Sequence, residues 1–402
     1  MSGVVVIGGG QAGASAVIKL RKLGFDGEIT LVSEEKILPY QRPPLSKGYL
    51  LGEISLERLF FRPLSYYEEN NINLMLGRQV NEINRENQTI GIGNNEIEYD
   101  NLVLATGSKP ILLPSAVGGN LEGVYSIRNL NDVDLMKPEF LSGKTVLVVG
   151  GGYIGLEAAA VAAKMGLKVI LVEMADRILK RVAASETSNY FRDLHKVRKV
   201  DLREGVGLES LIGNKQVSGA VLTDGTEVNV DFVICGIGIN PNTDLAEKSG
   251  LKVDNGIETN IFGETSESNI WAAGDCANLL FKGKRIRLES VQNAIDQAEC
   301  VAENIMGGSK EYKPSPWFWS DQYSTKLQIA GLNIGYDNII TRTENAETVS
   351  FWYFKNEELL AVDAMNDPRS YMVGKRLIEM GISPDAQAVG DKNFNLKLLL
   401  KP

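Results

Sequence analysis

Two glycine runs hold the residue types and spacing in this chain best suited to chemistry: Gly8-Gly9-Gly10-Gln11-Ala12-Gly13 and Gly150-Gly151-Gly152-Tyr153-Ile154-Gly155. In a Gly-x-Gly-x-x-Gly turn the first glycine (Gly8, Gly150) permits the tight turn. The second (Gly10, Gly152) lets a pyrophosphate approach the backbone, and the third (Gly13, Gly155) lets the next helix pack closely on a strand. Free amides at the helix start face the phosphates, and the helix dipole favours their charge. Each run is followed by a carboxylate, Glu34 or Glu173, about twenty residues past the last glycine, where it can accept hydrogen bonds from a ribose diol. Glu173 also bears on the choice of nicotinamide. A carboxylate there bonds the 2′-hydroxyl of NAD and repels a 2′-phosphate, so NADH is expected, with Arg177 stacking on adenine.

These residues need strand, turn, helix and strand around them, and the sequence supplies all four twice. Apolar runs at Val4 to Ile7 and Ile29 to Val32 flank an alanine-rich helical stretch from Ala14 to Leu23 that stops at Gly24. Thr145 to Val149 and Val169 to Val172 flank a second helix, Leu156 to Met165, which breaks at Gly166. One such unit is weak evidence; two in one chain specify two dinucleotide sites.

Other segments are expected to return to these turns. Asn101 to Ala105 reads as a buried strand ending in Thr106-Gly107, where the glycine allows close backbone approach. Asp231 to Gly238 is an apolar run leading to Asn240-Pro241-Asn242, and Asn269 to Ala273 runs into Gly274-Asp275. An aspartate at that strand end suits a ribityl hydroxyl. A helix from Ser290 to Met306, capped by Ser290, points its positive end the same way. Leu38-Pro39-Tyr40-Gln41-Arg42-Pro43-Pro44-Leu45-Ser46-Lys47 is too rich in proline for a continuous helix. Its cations Arg42 and Lys47 suit contacts to a pyrophosphate or a cofactor ring, or else belong to a rigid surface turn. Residues 49–79 read as short helical patterns and loops, and residues 88–99 as a polar hairpin. Beyond Pro314 the composition changes, with strands at Leu327 to Ala330, Thr348 to Phe354 and Glu358 to Ala364 and a helix from Pro368 to Met380.

Composition narrows the chemistry. The 402 residues are 44% hydrophobic and 23% charged, ordinary for a globular protein of two or three domains. A net charge of −9 argues against nucleic-acid binding. Lys282, Lys284, Arg285 and Arg287 form a local basic cluster, either a docking patch for an acidic partner or a solvated loop. The three cysteines, Cys235, Cys276 and Cys300, include no Cys-x-x-Cys, and His195 is the single histidine. A redox disulfide, a metal site or a triad is therefore not expected, and the chemistry falls to a bound cofactor. No apolar run approaches a membrane span and no processing pattern opens the sequence, so a cytoplasmic location is expected.

Taken together, these motifs resemble the NADH-dependent ferredoxin reductases of bacterial oxygenase systems, the branch that includes putidaredoxin reductase, rubredoxin reductase and the ring-hydroxylating dioxygenase reductases. The likeness runs the full length, through Arg42-Pro43-Pro44-Leu45-Ser46-Lys47, Ala105-Thr106-Gly107, Gly236 to Asn242, Gly274-Asp275 and Ser290-Val291-Gln292-Asn293-Ala294 as well as both glycine turns. It implies FAD contacts at Ala12, Glu34, Arg42, Lys47, Val80, Arg128, Asp275 and Val291. It implies NAD contacts at Ile154, Glu173, Arg177 and Gly238, with Glu157 beside the nicotinamide. A tryptophan at the Trp319 position would lie against the flavin, near the ferredoxin face; on sequence alone the aromatic pair Trp317 and Trp319 also suits a core. Lys47 is expected to pair with Asp244 near flavin N5. The family usually carries a glycine near Lys199, at a helix end, and its loss leaves that turn open.

The resemblance implies an α/β fold with two Rossmann-like dinucleotide-binding domains and a small α+β C-terminal domain. The boundaries expected are 1-108 with 241-315 for FAD, 109-240 for NAD and 316-402 for the C-terminal domain. The implied activity passes electrons from NADH through FAD, one at a time, to a two-iron two-sulfur ferredoxin docked near Trp319 and the basic 282-287 segment. The protein is expected as a monomer or homodimer. The alternatives are a rubredoxin reductase, and a flavoprotein like apoptosis-inducing factor with mainly a binding or signalling role.

Overall fold

The computed structural model describes residues 3–401, which fold as two compact units. Of the described residues, the first comprises 3–41, Leu56–Lys109 and Ile239–Pro316; the second comprises Arg42–Ser55, Pro110–Gly238 and 317–401. The segment carrying Arg42 and Lys47 groups with the second unit.

The first unit is built on a five-stranded parallel sheet. Its spatial order is Ile270–Ala272, Asn101–Leu104, Gly3–Ile7, Glu28–Ser33 and Ile72–Leu76. The central strands are near-continuous apolar runs, as a sheet covered on both faces requires. Helix Gln11–Lys22 packs on one face beside helix Val291–Ile305, with Ala12, Ala16, Val17, Leu20, Ala294, Ala298 and Val301 in one buried cluster with Val4, Val6 and Leu31. Ser290 caps the later helix by accepting the Asn293 N–H at 3.2 Å. The polar hairpin is present as Thr89–Ile92 and Asn95–Glu98, joined by a third antiparallel strand, Glu82–Asn84.

The second unit repeats the plan. Asp201–Glu204, Lys168–Glu173, Thr145–Val149, Phe232–Cys235 and Val124–Ser126 form a parallel sheet in that order. Its glycine turn opens helix Tyr153–Lys164. The C-terminal segment forms an antiparallel sheet, Trp317–Gln322, Thr325–Gly331, Glu358–Met365, Val349–Lys355 and Asn338–Thr343, covered by helix Pro368–Met380. Trp352, Val362, Tyr371 and Leu377 lie in the buried cluster between that sheet and helix. This segment is tied to the rest of its unit by polar contacts. Thr187 Oγ1 and Tyr353 OH both donate to Asp363 Oδ2, at 2.7 and 2.5 Å, and the Ala184 N–H donates to Tyr353 OH at 3.1 Å.

Candidate dinucleotide sites

The first turn leaves its strand at Ile7, and the Gly8 N–H donates to the Val32 carbonyl at 2.8 Å. Gly8 has φ +118°, and a methyl group there would lie closer than 3.0 Å to the Ala105 carbonyl oxygen. A methyl at Gly13 would strike the Gly8 carbonyl in the same way. Glycine is therefore required at both places, for backbone conformation at one and close approach at the other. Gly10 is the N-cap of helix Gln11–Lys22 and offers no side-chain cap, leaving the first-turn amides for a ligand.

Three more segments converge on this turn. Gly107 has φ +67°, and Thr106 is locked to Asn242 by two hydrogen bonds, Oγ1 to the Asn242 carbonyl at 2.7 Å and Asn242 Nδ2 to the Thr106 carbonyl at 2.8 Å. Gly274, at φ +83°, has no room for a side chain because Ala12 Cβ lies 2.9 Å from where its own Cβ would stand. Asp275 follows and accepts the Ser108 hydroxyl at 2.9 Å. Gly8, Gly10, Ala12, Gly13, Ala105, Thr106, Gly107 and Asp275 are thus gathered at the carboxyl ends of parallel strands, where a ligand crevice belongs in this class of fold. Val291 opens the capped helix, Val80 packs half-buried against the core of the same unit, and Glu34 is exposed.

The second turn has the same mechanics. The Gly150 N–H donates to the Val172 carbonyl at 2.9 Å. Methyls at Gly150 and Gly155 would strike the carbonyl oxygens of Gly236 and Gly150. At Gly152 nothing lies within 4 Å of a Cβ, so the backbone there is open to a bulky anion. Glu173 is fixed at the strand end: Oε2 accepts the Gly151 N–H at 2.7 Å and Oε1 the Ala175 N–H at 2.8 Å. Ile154 is 43% exposed on the first turn of the helix. Gly238, at φ +119°, accepts the Ile111 N–H at 2.9 Å. Arg177 donates to Ser188 Oγ at 2.6 Å and to the Lys180 carbonyl at 3.4 Å, on the side of the following loop and helix.

Glu157 is 2% exposed, and its carboxylate is fully engaged. Oε2 accepts Lys47 Nζ at 2.6 Å and Ser46 Oγ at 2.7 Å, while Oε1 accepts Ser320 Oγ at 2.7 Å. Lys47 and Asp244, expected as a pair, each take another partner within their own unit. Lys47 lies on the second unit within reach of Glu157, whereas Asp244 belongs to the first. Asp244 opens the exposed helix Asp244–Lys248 and pairs with Lys109 at 3.0 Å. That ammonium holds the Asp244 carboxyl below its ordinary value. Arg42 and Arg128 do meet, Arg42 Nη1 donating to the Arg128 carbonyl at 3.0 Å. Ser46 and Ser320 escaped the sequence reading because a serine hydroxyl has no signature without its partner. Ser46 does stand beside Lys47 in a segment already singled out.

Trp319 is half-buried, with its ring centroid 5.5 Å from Trp317 and 6.4 Å from Phe318; Phe318 in turn lies 4.9 Å from Tyr153, at the start of the second dinucleotide helix. Both arginines of the basic cluster are in ion pairs. Arg285 pairs with Glu258 at 3.1 Å and Arg287 with Glu289 at 2.7 Å. All three cysteines are buried and unpaired, and burial pushes each thiol above its ordinary value, which disfavours a reactive thiolate. Among the described residues no cluster of His, Cys, Asp and Glu could hold a metal ion, and no helix is long and apolar enough to cross a membrane.

Two family models match the chain: one described as pyridine nucleotide-disulphide oxidoreductase over residues 2–298, and one described as reductase C-terminal over residues 317–400. Rhodocoxin reductase of Rhodococcus erythropolis is 41% identical over 404 residues, covering 99% of this chain and 94% of that protein. Putidaredoxin reductase of Pseudomonas putida is 38% identical over 406 residues, covering 99% of this chain and 96% of that one. The crystal structure of the covalent putidaredoxin reductase-putidaredoxin complex matches with a TM-score of 0.96 at 37% identity, covering 99% of this chain and 98% of the matched chain.

Proposed function

This chain belongs to the pyridine nucleotide-disulphide oxidoreductase family, and on that premise we propose that it is an FAD-dependent NADH:ferredoxin reductase of an oxygenase system. The observation that carries the proposal is the pair of cradles: each turn excludes a side chain at its first and third glycines, and each opens a helix with free amides. Two dinucleotides fit such a chain, FAD on residues 1-108 with 241-315 and NADH on residues 109-240, with residues 316-402 as the C-terminal domain. The disulphide chemistry in the family's description has no cysteine pair to carry it here.

When bound, FAD would supply the conversion between the two-electron chemistry of a nicotinamide and the one-electron chemistry of an iron–sulfur protein. The chain supplies binding and orientation. Amides at Gln11–Gly13 and Tyr153–Gly155 meet the diphosphates, and Asp275 and Glu34 offer carboxylates to the hydroxyls of FAD. Glu173, already fixed by two backbone amides, meets the adenosine ribose of NADH and disfavours a 2′-phosphate. Glu157 holds the Lys47 ammonium in a partly buried ion pair, which would stand beside the nicotinamide. No side chain acts as acid or base in the hydride step. Ferredoxin docking near Trp319, a monomer or homodimer, and a cytoplasmic setting complete the proposal, the last supported by three unpaired thiols.

The test is anaerobic titration of the purified yellow protein with NADH and NADPH. Cytochrome c reduction is then reconstituted with a two-iron two-sulfur ferredoxin or a rubredoxin. Bleaching by NADH and ferredoxin-dependent turnover are expected. A colourless protein that takes up no flavin, or a flavin that NADH leaves oxidised, overturns the proposal; turnover with rubredoxin alone moves it to that carrier.

A further inference from the structure

His195, the chain's one histidine, is completely buried on helix Ser185–Val197. Its Nε2 lies 2.8 Å from Gln322 Oε1, and its Nδ1 lies 3.1 Å from the Tyr323 hydroxyl. Gln322 Nε2 donates to Ser320 Oγ at 3.3 Å, and Ser320 Oγ donates to Glu157 Oε1 at 2.7 Å. Ser320 and Gln322 are two apart on strand Trp317–Gln322 and so share a face. Both are fully buried.

The direction of every bond in this series follows from the charge at its end. Glu157, paired with the Lys47 ammonium, only accepts, so the Ser320 hydroxyl must donate to it. Ser320 must then accept from the Gln322 amide nitrogen, which turns the Gln322 carbonyl toward His195. The imidazole must carry its proton on Nε2, and burial pushes its pKa down to about 4, leaving Nδ1 bare to accept from Tyr323. Aligned bonds polarise one another in a dry interior.

We propose that His195, Gln322 and Ser320 are positioning residues, a one-directional hydrogen-bond chain that fixes the Glu157 carboxylate and through it Lys47. The chain starts beside the Tyr323 ring, over which Arg198 stands 5.2 Å from the centroid. It ends on the pair that the proposed function puts beside the nicotinamide, and it rests on that reading for its catalytic consequence.

A single histidine makes the test direct. The full-length, flavin-loaded protein, free of any histidine tag, gives one imidazole in a long-range proton–nitrogen-15 spectrum. The wild type is expected as the pure Nε2–H tautomer. Glu157→Gln puts an amide that can donate where only an acceptor stood, and Ser320→Ala removes a link, so both should move the ring signals toward a tautomer mixture. His195→Asn and Ser320→Ala should slow NADH-driven flavin reduction roughly 3- to 30-fold, the range of coupling through a packed network, with flavin content unchanged. Ring signals identical to wild type in both Glu157→Gln and Ser320→Ala overturn the chain. A Glu157→Gln protein that shows the ring shift yet reduces its flavin at the wild-type rate leaves the chain standing and removes Glu157 from the reaction.

Discussion

The two glycine turns are mechanically the same and chemically different. In each, the first glycine N–H bonds to the carbonyl of the penultimate residue of the neighbouring strand, Val32 or Val172. In each, the first and third glycines are pressed against carbonyl oxygens. The difference lies one residue further on. Ser33 occupies the place in the first unit that Glu173 occupies in the second, and Glu34 falls one position beyond it, exposed. Two acids that look equivalent in the sequence are thus out of step. The second carboxylate is locked onto backbone amides, whereas the first is free to meet its ligand from solvent. Glycine spacing sets the cradle, and the residue after the strand sets what the cradle selects.

Matched substitutions should separate the two cradles, and these carry the largest expected effect. Gly13→Ala and Gly155→Ala each drive a methyl into a carbonyl oxygen. Such overpacking costs about 3 kcal/mol, or roughly 100-fold in affinity. Gly13→Ala should purify depleted of flavin, read from the visible spectrum. Gly155→Ala should stay yellow and lose NADH binding in a titration. Loss of flavin from both in equal measure would mean that the cradles do not hold separate ligands.

The units also differ in buried titratable groups, because the histidine belongs to the second alone. Burial lowers the His195 pKa from 6.5 to about 4, so the unfolded chain takes up a proton first. Stability from this residue is complete above pH 6.5 and lost as pH falls toward 4, by about 3 kcal/mol. Asp363 runs the other way. Burial raises it from 3.8 to about 6 against the bonds from Tyr353 and Thr187, so the folded state keeps the proton longer. Its contribution is complete below pH 3.8 and lost as pH rises toward 6, again by about 3 kcal/mol. Over the shared window the two nearly cancel. Asp363→Asn should expose the histidine, steepening the acid loss of stability relative to wild type. His195→Asn should do the reverse. Urea unfolding followed by tryptophan fluorescence at a series of pH values reads both, and profiles parallel to wild type would refute the assignment.

How much of this was legible in the sequence follows from what each signal depends on. The βαβ units were readable because apolar runs, glycine spacing and helix ends are local; helix Pro368–Met380 and the Ser290 cap stand where the sequence put them. The edge strands Ile72–Leu76, Asp201–Glu204 and Val124–Ser126 went unread. Asp201–Glu204 and Val124–Ser126 are short and half-polar, so neither an apolar run nor clean alternation marks them, whereas Ile72–Leu76 is hidden among the helical patterns read over residues 49–79. The Lys47 partner was misread for a different reason. Which carboxylate meets an ammonium is decided by tertiary packing, and Glu157 is distant in sequence and hidden on an apolar helix. His195 likewise looked inert, since its partners Gln322 and Tyr323 come from another segment.

Coenzyme choice gives a smaller effect on the same contrast. Glu173→Ala removes the charge that disfavours a 2′-phosphate together with a hydrogen-bond acceptor for the ribose, interactions of about 1–2 kcal/mol. The ratio of kcat/KM for NADH to that for NADPH should fall roughly 5- to 30-fold. Glu34→Ala, in the first cradle, should leave that ratio unchanged. A shift of equal size from Glu34→Ala would show that the second turn does not own the selection.

The smallest effect concerns how three helices end. Gly24, Gly166 and Lys199 have φ values of +85°, +83° and +62°. Their N–H groups bond back to Arg21, Ala163 and Lys196 carbonyls, and the residues after them bond to Leu20, Ala162 and His195 carbonyls. The motif is identical, so the turn left open by the missing glycine is retained with lysine in the left-handed conformation. That conformation costs a side-chain-bearing residue about 1–2 kcal/mol, and glycine gives back part of the gain as unfolded-state entropy, about 0.4–1 kcal/mol. Lys199→Gly should therefore stabilise the second unit by about 0.5–1 kcal/mol, measured as a higher urea midpoint with an unchanged slope. Gly24→Lys and Gly166→Lys should both destabilise, because each puts a side chain on a left-handed backbone, and Gly166 also has Ser142 Oγ 2.8 Å from the Cβ position while Gly24 has open space. Gly166→Lys should accordingly cost more than Gly24→Lys. A Lys199→Gly protein no more stable than wild type would mean that the lysine side chain makes up the backbone strain through contacts of its own.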